Sequence, residues 1–143
     1  MECFVLVYNM YRLIVGVLYL MIIKYLKRSS IIVMTVFYVR IGIDHFASPE
    51  WYIRIMPPYI PYHLELVYIS GVFEVLFGVM LLVRKLRKYA GFGLILLLLA
   101  VFPANIYLAS TNGEALGITA FIAWLRLPFQ ALLIAIAYMH SKI

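Results

Sequence analysis

The sequence predicts an all-α membrane protein, a transmembrane four-helix bundle with room for an additional N-terminal hydrophobic helix. Three observations predict it. Of the 143 residues, 66% are hydrophobic and the mean hydropathy is +1.03, where a soluble domain is about 45–50% apolar. Only 13% are charged, against about 25% in a typical soluble domain. The apolar residues also gather into stretches close to the ~20 residues that a helix needs to cross the hydrocarbon layer.

The first stretch, Cys3 to Ile23, carries Asn9, Arg12 and scattered tyrosines. It makes a poor signal peptide, since Glu2 stands where a basic start is expected and no small-residue cleavage site follows. An extra span, an interfacial helix and an extension upstream of the true start all fit it. Residues 1–25 are therefore read as an N-terminal extension, and 26–143 as a four-span membrane domain. The second stretch runs from Ser29 to Phe46, with a start as early as Leu26. In the loop that follows, Ser48-Pro49-Glu50 reads as a helix start: Ser as N-cap, Pro in the first turn, then an acid. Glu50 and Arg54 are spaced to pair at i,i+4. Pro57-Pro58 ends the turn. Trp51, Tyr52, Tyr59 and Tyr62 suit a headgroup interface. The third, fourth and fifth stretches are Leu64–Val83, Tyr89–Ala109 and Gly117–Met139.

Charge sets the expected topology. The net charge is +6, but the basic residues cluster at helix ends: Lys24, Lys27 and Arg28, then Arg84, Lys85, Arg87 and Lys88. Membrane orientation explains this pattern better than nucleic-acid binding does, so no nucleic-acid partner is expected. The positive-inside rule places basic loops 24–28 and 84–88 in the cytoplasm of a cell (plasma) membrane protein. The loops Ala47–His63 and Ser110–Leu116 then face outward. Cys3 is the only cysteine, which excludes a CxxC redox pair within the chain.

Polar residues inside the spans carry the functional signal. An ionised side chain at the bilayer centre costs roughly 2.5–3.5 kcal/mol on insertion scales, so such residues pair, line a cavity or handle a ligand. By rise per residue, Glu74 lies about 15 Å and Arg126 about 13–14 Å from the outer ends of their spans. Matching depth and opposite charge predict that they pair. Arg40 and Asp44 share one helix face at i,i+4, and His45 follows at the outer mouth. Gly71, Glu74 and Gly78 share a face of the third span, where glycines admit a neighbouring backbone. Pro103 frees a carbonyl near Leu99, for which Asn105 is a candidate partner. Pro128 interrupts the fifth span between Arg126 and Gln130. The candidate ligand-binding set is Arg40, Asp44, His45, Glu74, Asn105, Arg126 and Gln130. A structural Glu74–Arg126 ion pair and plain interface roles for Asp44 and His45 are the competing readings. His45, His63 and His140 lack metal-ligand spacing, so no metal site is expected. His45 or His63 is a remote haem-ligand candidate, and His140 is expected to be solvated. No phosphate loop, nucleophile elbow or other catalytic motif is present.

These residues also carry a family resemblance. Gly42-Ile-Asp-His45-Phe46, then Pro49 and Ile55-Met-Pro-Pro-Tyr59, resembles the start of DoxX-like membrane proteins. So do Tyr68-Ile-Ser-Gly-Val-Phe-Glu74 with Gly78, Gly91-Phe-Gly, Phe102-Pro-Ala-Asn-Ile-Tyr107-Leu-Ala and Leu125-Arg-Leu-Pro-Phe-Gln130. The match runs from about Lys27 to the C-terminus. The resemblance implies a four-helix membrane bundle and a link to quinone-reducing or redox-defence systems. Relatives in thiol chemistry use cysteine pairs, which this chain lacks. Three functions fit. The first is an accessory or anchoring subunit of a membrane redox or oxidative-stress system, with a polar intramembrane pocket for a quinone or lipid headgroup and a membrane oxidoreductase as partner. The second is a transporter or permeability factor for a small solute. The third is a ligand-free scaffold. In all three the lipid bilayer is a partner.

Overall fold

The computed structural model describes the backbone of residues 2–142 and the side chains of residues 8–142. Among these residues every regular element is helical: α1 (Glu2–Ala47), α2 (Pro49–Ile53), α3 (His63–Met80), α4 (Arg87–Ser110), a 3-10 turn (Glu114–Leu116) and α5 (Ala120–Ser141). Four of these helices are long and apolar enough to cross a membrane, as expected. The chain divides into two compact units, residues 1–33 and 34–143.

The first unit differs from the expected layout. Two stretches joined by a basic loop were predicted, but helix runs through Lys24, Lys27 and Arg28 without a break. Nothing from Lys24 to Ser30 stops a helix. There is no Gly or Pro, and Lys, Leu and Arg are good helix formers. Charge density marks a membrane boundary, but it does not end a helix. Large apolar side chains are exposed along this unit, from Tyr8, Met10 and Tyr11 to Tyr25 and Leu26.

In the second unit the remainder of α1 packs on α3 through small residues. A Cβ added at Gly42 would lie 2.7 Å from the Gly71 carbonyl oxygen, so the two backbones touch. Burial on α3 falls on Val67, Gly71, Glu74 and Gly78, spaced as one helical face. Glu74 therefore points into protein, as the glycine pattern predicted. Gly91 does the same for α4 and α5: an added Cβ would sit 2.7 Å from the Ala137 carbonyl oxygen. This close approach takes the last turn of α5 inside, and His140, expected to be solvated, is 0% exposed.

The connections supply the walls around the site. Ser48 precedes Pro49 as expected, but its side chain makes no capping bond. The turn is closed by backbone instead, with Ser48 N–H donating to Asp44 O at 2.9 Å and Trp51 N–H to Ser48 O at 3.2 Å. Glu50 and Arg54 likewise meet through backbone, Arg54 N–H donating to Glu50 O at 3.2 Å, and not through an ion pair. Pro57 is fully buried, and its carbonyl accepts from His63 Nε2 at 3.2 Å. At the end of α4, Asn112 takes a left-handed φ of 49°. Asn112 N–H donates to Ala109 O and Gly113 N–H to Leu108 O, both at 3.0 Å, which is the Schellman pattern. Ile55, Ala104, Leu108 and Ala123 form a buried cluster that ties the α2 segment to α4 and α5.

Candidate functional site

The second unit holds a partly open cavity of about 660 Å³ among α1, the α2 segment, α3, α4 and α5. That size falls in the range of small-molecule sites, about 300–1,000 Å³. Most of its wall is apolar, with Phe37, Phe73 and Phe129 supplying the aromatic part. Five of the seven sequence candidates line it: His45, Glu74, Asn105, Arg126 and Gln130. Arg40 and Asp44 do not. They bond to each other along the exposed side of α1, as their spacing predicted, and neither reaches the cavity.

The predicted Glu74–Arg126 ion pair is not formed, although both residues line the cavity. Equal depth on two helices fixes height along the membrane normal, but says nothing of direction around each helix axis. Arg126 turns toward α4. Its Nε–H donates to Asn105 Oδ1 at 3.1 Å. Asn105 Nδ2–H donates to Gln130 Oε1 at 2.9 Å, and Gln130 Nε2–H donates to the Leu98 carbonyl. Chemistry fixes the direction of this chain, because arginine can only donate and a carbonyl can only accept. Both amides between them are oriented by their ends. The accepting carbonyl is that of Leu98, next to Leu99, and its side-chain donor is Gln130, whereas Asn105 was the candidate partner for the carbonyl that Pro103 frees near Leu99.

On the other side of the cavity Glu74 meets His45. Nδ1 of His45 is 3.1 Å from Glu74 Oε2 and 2.9 Å from the Ile41 carbonyl oxygen. His45 and Glu74 are only 5% and 8% exposed, and among the described residues the one basic group against this carboxyl is the His45 imidazole edge. The geometry of that contact leaves Glu74 Oε2 without a formed hydrogen bond. Tyr52 stacks on the His45 ring, with centroids 3.7 Å apart and planes inclined by 23°.

Two lining residues escaped the sequence reading. Its sequence setting places Tyr52 among the interfacial aromatics, yet it closes over His45 and lines the cavity. Tyr38 is 1% exposed, lines the cavity, and its hydroxyl has no hydrogen-bond partner among the described residues. A signal for Tyr38 was present, since Tyr38, Ile41 and His45 recur at helical spacing on one face of α1. Burial pushes the Tyr52 hydroxyl up to about 12, helped by Asp44 and Glu74 and opposed by Arg126 and Arg40. It stays protonated at neutral pH and can donate.

Together the fold and this site define a small helical membrane protein with a largely apolar cavity into which a few polar side chains reach. The chain belongs to the DUF8561 family, a domain of unknown function, whose family model matches residues 34–141. The match starts at Met34, where the second compact unit starts. No curated protein and no solved structure matches the chain.

Proposed function

We propose that this protein is an accessory or anchoring subunit of a membrane redox or oxidative-stress system, and that its cavity holds a lipophilic molecule by a polar head. The observation that carries the pocket is the contrast within one cavity. Aromatic and aliphatic walls surround Arg126, whose guanidinium is engaged only through Nε among the described residues, together with the Tyr38 hydroxyl, which has no hydrogen-bond partner among them. Apolar walls with a few convergent polar groups are the usual form of a small-molecule site. The redox assignment rests on the resemblance to DoxX-like proteins, and a quinone is the occupant that this resemblance favours. The basic turn at Arg84–Lys88 faces the cytoplasm in this reading, because lysine and arginine are retained on that side.

The test is purification in mild detergent, with an absorbance spectrum and mass spectrometry of everything that accompanies the protein. A quinone or an oxidoreductase subunit at near-stoichiometric amount is the expected result. Protein accompanied by bulk lipid alone would remove the redox role and turn the next experiment to solute flux.

A further inference from the structure

We infer that the preferred occupant of the cavity is a lipophilic anion, a molecule with an apolar body and a singly charged acidic head held by Arg126. The inference rests on the reading of the cavity as a ligand pocket, and it replaces the neutral quinone favoured by the resemblance with an acid. Charge balance around the site carries the argument.

On α1, Arg40 and Asp44 neutralise each other outside the cavity. His45 on α1 and Glu74 on α3 share one contact. With one proton between them this pair is neutral wherever the proton sits. A bare buried carboxylate with no donor is too costly to replace that arrangement. The α2 segment contributes Tyr52, a neutral donor. In the cavity wall α4 contributes Asn105 and α5 contributes Gln130, both uncharged. Arg126 is left as one positive charge with an amide for a partner. In a helix long and apolar enough to cross a membrane, such a charge calls for a counter-ion.

Geometry says where the counter-ion sits. Asn105 occupies Nε, so the two terminal nitrogens of the guanidinium remain. Their outer edge can donate two parallel bonds to one carboxylate or phosphate group. The relay through Asn105 and Gln130 to Leu98 fixes the guanidinium before a ligand arrives. The apolar remainder of the wall suits a hydrocarbon or ring body better than a water-soluble acid.

A spin-labelled stearic acid and its methyl ester separate charge from lipophilicity. Each is added to the full-length protein in a neutral mild detergent, and the motionally restricted fraction is read by electron paramagnetic resonance. The acid should be held about tenfold more tightly than the ester, the scale of one charge-assisted pair. Arg126→Gln should abolish that preference while leaving the weak ester binding in place. Arg126→Lys should keep part of it, which distinguishes lost charge from lost fold. The wild-type comparison stands even if the glutamine variant does not fold. Equal binding of acid and ester would overturn the anionic head and return the pocket to a neutral, carbonyl-headed molecule. Restriction of neither probe would overturn the pocket itself. Displacement of the acid by acetate at equal concentration would overturn the lipophilic body.

Discussion

At the residue scale the site is two separate polar systems facing one cavity. Arg126, Asn105, Gln130 and the Leu98 carbonyl form one. His45, Glu74 and the Tyr52 ring form the other. A double-mutant cycle distinguishes this from a direct Glu74–Arg126 bond. Groups without a shared contact couple by less than about 0.5 kcal/mol, whereas contacting groups couple by about 0.5–3 kcal/mol. Unfolding in detergent should therefore show near-additive losses for Glu74→Ala with Arg126→Ala, and strong coupling for His45→Ala with Glu74→Ala. Asn105→Leu should orphan both Arg126 Nε and Gln130 Oε1, at about 1–3 kcal/mol for each unpaired group. Tyr52 gives a pH signature. Its folded-state value is raised from 10.0 to about 12, so the folded state holds the proton longer. Its contribution is complete below pH 10 and is lost as the pH rises toward about 12. Ultraviolet titration should show a late-ionising tyrosine component near pH 12 that shrinks by one residue in Tyr52→Phe. The sequence made the types of residue at the site legible, because charges in apolar stretches stand out. It did not show which way each side chain turned, since helical spacing gives a face only once the neighbour is known.

At the element scale the contacts are set by small residues. Adding a methyl at Gly42 would press on the Gly71 carbonyl oxygen and on Val75, both 2.7 Å from the new carbon. Backbone cannot give way cheaply, so Gly42→Ala should destabilise by about 1–3 kcal/mol. Gly16 is the control, because a Cβ there meets nothing within 4 Å. Gly16→Ala should be neutral or stabilising by about 0.5–1 kcal/mol, from helix propensity alone. Thermal unfolding in detergent checks both, and equal effects would mean that Gly42 does not sit at a backbone contact. The start of α2 was legible from Ser48-Pro49-Glu50, and the glycine face of α3 from Gly71, Glu74 and Gly78. The continuity of α1 was not. Lys24, Lys27 and Arg28 read as a connection because they are charged, yet every residue between Lys24 and Ser30 is compatible with helix.

At the scale of the whole molecule, helices with exposed apolar flanks surround a small amount of polar interior. The second unit coincides with the family match, residues 34–141, and holds every residue of the cavity. The proposed orientation has a direct check. In a Cys3→Ser background, Lys85→Cys should react with an impermeant thiol reagent only from the cytoplasmic side, and Asn112→Cys only from outside. The opposite pattern would reverse the orientation, and labelling of both from one side would mean that α4 does not cross the membrane.

Native mass spectrometry of wild type and Arg126→Gln, released from the same mild detergent, tests the central claim most directly. Wild type should carry a single lipophilic species near one per chain, and the variant should lose it. Identical spectra carrying only heterogeneous bulk lipid would contradict it, and would leave the polar cavity as a feature of folding alone.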